Sequence, residues 1–161
     1  MPITLARIDQ RLVHGITVND WNAVLKPKRY MVIDDAISTD EMIKGSMRMS
    51  KPSGTGMSII DTNKAITNFK AGSYDDHKVF IIVKEPETLV KLAEAGIEIP
   101  EVNVGLIFAE DGRTAVTGRV SLNQKEADDL KELQAKGINV SFQYRPNEEK
   151  IALDKALAGK F

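Results

Sequence analysis

One histidine of this chain stands where it could do chemistry. The chain has two histidines and no cysteine. His14 lies in the run Arg7-Ile8-Asp9-Gln10-Arg11-Leu12-Val13-His14-Gly15, which follows a short apolar strand pattern and precedes a helical one. A strand-to-helix turn is where ligands and phosphate groups settle in α/β folds. Imidazole titrates near pH ~6.5, so a neutral ring nitrogen is available to attack phosphorus without a separate base. The phosphoramidate formed keeps a high transfer potential, which suits relay from one histidine to another. Phosphoryl transfer asks the protein for position and positive charge more than for covalent help. Arg11 offers a planar fork that matches phosphate oxygens. Gly15 lets backbone approach closely. Asp9 could orient Arg11 or the His14 ring, and the sequence leaves both open.

The elements that must position this turn alternate along the chain. Strands are expected at Ile3–Ile8, Arg29–Asp34, Gly56–Asp61, Lys78–Val83, Glu101–Gly105 and Asn139–Gln143. Val79-Phe80-Ile81-Ile82-Val83 is apolar throughout, as in a strand covered on both faces. Helices lie between. Ser38 and Glu41 have capping-box spacing. Pro86 suits a first helical turn, with Gly96 just past the end of that helix. Asn123 and Glu126 mark another start, with Gly137 past its end. Asn147 is placed to cap a last helix holding Ile151, Leu153 and Leu157. Met42, Met47 and Met49 read as helix packing. Residues 51–56 form a turn-rich loop, and residues 109–120 a loop or short hairpin. The pattern predicts a single-domain α/β protein: a mostly parallel β-sheet with helices on both faces.

Composition narrows the function. The 161 residues suit one domain with a real core. A net charge of −1 supplies no field for nucleic acid or anionic lipid. Without cysteine there are no disulfides, thiolate chemistry or cysteine metal sites, which fits a cytoplasmic setting. No leader pattern opens the sequence, and no apolar run reaches the ~20 residues that span a bilayer.

The motif Asp-x-Arg-Leu-x-His-Gly, here Asp9, Arg11, Leu12, His14 and Gly15, resembles the active loop of the mannose/fructose/sorbose-type enzyme II B components. These are cytoplasmic phosphocarrier subunits of the bacterial sugar phosphotransferase system. Trp21, Glu85-Pro86, the run to Ala95-Gly96, Val102-Asn103-Val104-Gly105 and Leu130–Gly137 through Pro146 extend the likeness over nearly the whole chain. Residues 1–161 would then be one such domain. The resemblance implies a protein-N(pi)-phosphohistidine–sugar phosphotransferase. A phosphorylated A component donates to His14. His14 passes the group to a sugar held by membrane C and D components. Arg11 stabilises the phosphate, Leu12, Val13 and Gly15 contribute backbone, and no metal or other cofactor takes part. It further implies a subunit associated peripherally with membrane transporter components, often a homodimer, and a sugar such as mannose, fructose, sorbose or N-acetylgalactosamine. Relatives commonly have Gln-Val where this chain has Ile16 and Thr17, so the fine geometry of the loop is left to the structure.

Other residues carry plainer readings. His77 reads as an exposed turn histidine, Trp21 as core or interface packing, and Asp34-Asp35 as turn residues satisfying backbone groups. Ser53-Gly54-Thr55-Gly56 lacks the Gly-Lys-Ser/Thr ending of a nucleotide loop. Two other functions remain in view. A histidine-nucleophile phosphohydrolase needs a second pocket histidine, and only His77 is available. A receiver-like signalling module would use Asp34, Asp35 or Asp61, with Lys84.

Overall fold

A computed structural model describes residues 2–161. The chain begins with β1 (Ile3–Asp9), followed by a π-helical segment, Ile16–Trp21, that runs into α1 (Asn22–Leu25). Next come β2 (Arg29–Ile33), a 3-10 turn at Ile37–Thr39 and α2 (Glu41–Ser50). Then β3 (Gly56–Ile60), α3 (Thr62–Lys70), β4 (Val79–Val83), α4 (Pro86–Glu94) and β5 (Glu101–Leu106) follow in turn. The two-residue strands β6 (Thr114–Ala115) and β7 (Ser121–Leu122) pair antiparallel. α5 (Gln124–Ala135), β8 (Asn139–Phe142), β9 (Ile151–Ala152) and α6 (Leu153–Leu157) complete the chain.

Seven strands form one sheet in the order β3-β2-β4-β1-β5-β8-β9. All neighbours are parallel except β8 and β9. Side chains alternate across the pleat, so the two faces build two cores. One holds Ala6, Ile8, Val83 and Val104 with Leu89 and Leu92 of α4 and Leu130 and Leu133 of α5. The other holds Leu5, Tyr30, Phe80 and Ile82 with Leu12, Trp21, Ile37 and Met47. The predicted sandwich of helices about a mostly parallel sheet is therefore present. Its central strand β1 leads toward β2 across one face, while β5 leads toward β8 across the other. The chain thus parts in opposite directions at the carboxyl ends of β1 and β5, leaving the crevice in which open α/β sheets bind ligands.

Most capping expectations hold. Asn123 and Glu126 form a reciprocal capping box, and Pro86 opens α4. Gly96 and Gly137 take left-handed conformations, φ +89° at each, just past α4 and α5. Residues 109–120 include the hairpin half Thr114–Ala115, reached through a left-handed Gly112.

Three expectations are corrected. The cap of α2 is Asp40, whose carboxylate accepts from Ile43 N–H at 3.1 Å. Ser38 belongs to the preceding 3-10 turn, which the Asp34 side chain starts by accepting from Ile37 N–H. Asn147 caps no helix: Ile151–Ala152 instead pairs with β8, covering an edge that would otherwise stay open. Finally, only Met47 packs inward. Met42 and Met49 are 86% and 89% exposed. Seven residues apart, they share one side of α2, and Met47 stands roughly 140° around from Met42. A helix at the sheet's flank buries a single stripe.

Candidate functional site

At the carboxyl end of β1, alternation sends Leu5, Arg7 and Asp9 to the same face. Arg7 and Asp9 are fully buried there. Arg7 Nε donates to Asp9 Oδ2 at 3.1 Å, and Nη2 lies 3.1 Å from the same oxygen. Nη1 donates to Asn103 Oδ1, at 2.6 Å, on the neighbouring strand position of β5. It also reaches the Gln143 carbonyl, at 3.2 Å, beyond β8. The guanidinium lies beneath two rings, with Cζ 5.2 Å from the Trp21 centroid and 5.7 Å from that of Tyr144. Burial pushes its pKa down and the Asp9 carboxylate opposes that. Arginine starts so high that it stays cationic. Gly105 makes room for it, because a Cβ there would overlap the guanidinium.

With Arg7 behind it, Asp9 presents both oxygens to the loop. Oδ1 accepts from Arg11 N–H at 2.9 Å, and Oδ2 lies 2.8 Å from His14 Nε2. The alternative left open by the sequence resolves into both outcomes: Asp9 orients the His14 ring and holds the backbone of Arg11. An ionised carboxylate only accepts, so the hydrogen of the imidazole is assigned to Nε2. Nδ1 is left with its lone pair. It faces the Ile16 N–H at 3.4 Å.

The loop is tight. Leu12 N–H donates to the Asp9 carbonyl at 2.9 Å, and Leu12 adopts a left-handed φ of +55°. That conformation costs a leucine on the order of 1 kcal/mol. Its side chain, 4% exposed in the core beside Trp21, offsets the strain. Thr17, in the pair that departs from the resemblance, is buried. Its hydroxyl accepts from His14 N–H at 3.0 Å and donates to the His14 carbonyl at 2.9 Å. The Tyr30 hydroxyl donates to the Thr17 carbonyl at 3.0 Å. Burial raises the Tyr30 pKa well above its ordinary value, so the phenol keeps that proton. A carbonyl engaged from outside the helix accompanies the π pitch of Ile16–Trp21. Gly15 has ordinary right-handed angles, φ −50°, and a Cβ there would meet only Asn19 Nδ2 at 3.9 Å. No local backbone feature requires glycine at this position.

His14 and Gly15 border a shallow depression of about 360 Å³ with Arg11, Asp20, Tyr144 and Arg145. Among the described residues the Arg11 guanidinium forms no ion pair. Val13 is half-buried against the Leu12 core and does not border the depression. The sequence reading missed Arg7, Asn103 and the Gln143 carbonyl as parts of the site. The arginine two places before Asp9 was the one available signal.

The competing sites fall elsewhere. His77 precedes β4, at the opposite end of the parallel sheet from His14. It is half-buried rather than exposed, and its Nδ1 accepts from Arg29 Nε at 3.3 Å. The loop at residues 51–56 precedes β3 and so lies at that same far end. Asp35 accepts from Thr62 N–H and Oγ1, which hold its carboxyl below the usual range, and Asp61 caps α3. Asp34 and Asp35 thus satisfy backbone groups, as the turn reading expected. Trp21 is core, its indole N–H donating to the Tyr144 carbonyl at 2.9 Å. No group of three or more metal-ligating side chains is found among the described residues. No helix among them is long and apolar enough to cross a membrane.

Comparison with known proteins returns one family. The family model for the sorbose subfamily IIB component of the PTS system matches residues 3–160. The fructose-specific EIIB component of Bacillus subtilis (strain 168) is 31% identical over 148 residues, covering 92% of this chain and 91% of that protein. The mannose-specific EIIAB component of Escherichia coli (strain K12) is 29% identical over 153 residues. The alignment spans 95% of this chain but 47% of that protein, so the chain accounts for about half of its length. The crystal structure of the IIBSor domain of the sorbose permease from Klebsiella pneumoniae superposes with a TM-score of 0.94 at 27% identity. It covers 100% of this chain and 99% of that one.

Proposed function

Because the chain belongs to the sorbose-type IIB component family of the sugar phosphotransferase system, we propose that His14 is its phosphoryl carrier and that Nδ1 is the attacking atom. The observation carrying this reading is the 2.8 Å contact of Nε2 with a fully buried aspartate, which leaves the other nitrogen unprotonated and turned toward a backbone N–H. In the first step the Nδ1 lone pair attacks the phosphorus of a phosphohistidine on an A component. The donor's P–N bond breaks and its electron pair returns to the donor ring. The His14 ring then carries positive charge, which Asp9 stabilises through Nε2–H. In the second step a sugar hydroxyl oxygen attacks the same phosphorus. The N–P bond breaks toward Nδ1, and the hydroxyl proton leaves to water.

The same reading takes residues 1–161 as one IIB domain that is cytoplasmic and docks on membrane C and D components holding the sugar. Pairing into a homodimer belongs to it as well. The sugar is a hexose or amino sugar of the kinds named for the relatives, and selection among them rests chiefly with the membrane components. Leu12 and Gly15 contribute backbone at the site, and the step uses no metal or nucleotide. The hydrolase and receiver readings lose support from the far placement of His77 and from the capping roles of Asp35 and Asp61.

Arg11 provides the phosphate contact in this scheme. Its backbone is pinned by Asp9 while its side chain borders the depression free of ion pairs among the described residues. Arg11→Ala should slow transfer from a phosphorylated A component by about 10²- to 10³-fold, as expected for losing a donor to a developing anion. Thermal unfolding should be unchanged, since among the described residues the guanidinium forms no ion pair. Quench-flow labelling measures the first quantity and calorimetry the second. Wild-type rates in the variant would remove Arg11 from the site.

A further inference from the structure

We propose that Arg145 is a second phosphate-binding arginine of this pocket, held in reserve by Asp20 until a phosphoryl group arrives. This inference rests on the reading of His14 as the carrier. Arg145 comes from the far side of the crevice, three residues beyond β8, yet it borders the same depression as His14 and Arg11. Its backbone is fixed from three directions. The preceding carbonyl, of Tyr144, accepts the Trp21 indole N–H at 2.9 Å. Its own N–H donates to Glu148 Oε1 at 3.1 Å. Pro146 follows it and disfavours helical backbone at Arg145. Trp21 closes the π-helical segment that starts two residues after His14, so the bond to Tyr144 ties the arginine's loop to the histidine's helix.

The guanidinium, by contrast, is only loosely engaged. Its side chain is 47% exposed, and Nη1 lies 3.6 Å from Asp20 Oδ2, longer than a charge-assisted hydrogen bond. Asp20 is itself 36% exposed and borders the same depression. An exposed pair at that distance contributes little to stability, so little is lost when it opens. A phosphoryl group of nearly two negative charges is a stronger ligand for a guanidinium than one solvated carboxylate. Arg11 and Arg145 would then grip its oxygens from two sides of His14. Asp20 keeps the empty pocket from being uniformly cationic.

The test uses inorganic phosphate as probe on the full chain, alongside transfer from a phosphorylated A component. Phosphate is titrated while the His14 ring is followed by NMR. Arg145→Ala should weaken phosphate binding on the order of tenfold and slow transfer by a similar factor, with unfolding unchanged. Arg145→Lys should recover part of both. Asp20→Asn should tighten phosphate binding in the wild-type background and do much less in the Arg145→Ala background. Wild-type binding and transfer in Arg145→Ala would overturn the proposal. So would an Asp20→Asn gain that persists undiminished without Arg145, since that gain would come from the general field. Absence of label on His14 in the unsubstituted chain would instead refute the carrier reading, and the phosphate titration would still decide on Arg145.

Discussion

His14→Gln will fold as the native chain does and take up no phosphoryl group. The ring makes two contacts, Nε2 with Asp9 at 2.8 Å and Nδ1 with Ile16 N–H at 3.4 Å. A glutamine amide can donate to the same carboxylate, so Asp9 keeps a partner and the loop its anchor. What glutamine lacks is a nitrogen lone pair free to form a bond to phosphorus. The expected result is a loss of labelling beyond any measurable rate, with circular dichroism and the unfolding midpoint close to those of the native chain. Undiminished label on this variant would remove His14 as carrier.

The second large effect is on stability and lies beneath the histidine. Arg7→Met leaves Asp9 as a buried carboxylate without its cation, and it frees Asn103 Oδ1, while the Gln143 carbonyl keeps the Asn103 Nδ2 donor at 2.9 Å. Breaking a buried pair from one side costs about 3–5 kcal/mol. Urea unfolding should register a loss of that order. Removing both charges, with Arg7→Met and Asp9→Leu together, should return much of that stability, because the penalty comes from the unpaired charge. The double variant should nonetheless fail in transfer, since nothing then sets the tautomer of His14. A loss below about 1 kcal/mol in the single variant would mean that the guanidinium is not what holds this corner together. The contrast with Arg11→Ala, rate without stability, separates the two arginines that flank Asp9.

The fold was legible wherever burial on both faces leaves a continuous apolar run. Val79–Val83 is wholly inaccessible to solvent, and its sequence reads that way. Caps were legible where one residue type competes alone, as at Asn123. They misled where a nearer acid was available, as with Asp40 displacing Ser38. Strand β9 escaped because two residues carry no periodicity, and its pairing serves an edge that only the folded sheet defines. The site divides in the same manner. Asp9 and His14 belong to one loop, and local spacing brings them together. Asn103 and the Gln143 carbonyl meet Arg7 across 96 and 136 residues of sequence. The second is a backbone group, whose direction no side-chain pattern records. Arg7 itself hides in a strand pattern, where alternation marks it only as facing the side opposite Ala6 and Ile8.

The position of the phosphoryl group on the protein decides whether His14 is the carrier and Nδ1 its attacking atom. The chain, labelled with ¹⁵N at histidine, is phosphorylated by an A component and followed by nitrogen and phosphorus NMR. Modification is expected at Nδ1 of His14, with Nε2 still bearing its proton against Asp9. Phosphate at Nε2 of His14, on His77, or as an acyl phosphate on an aspartate would contradict it.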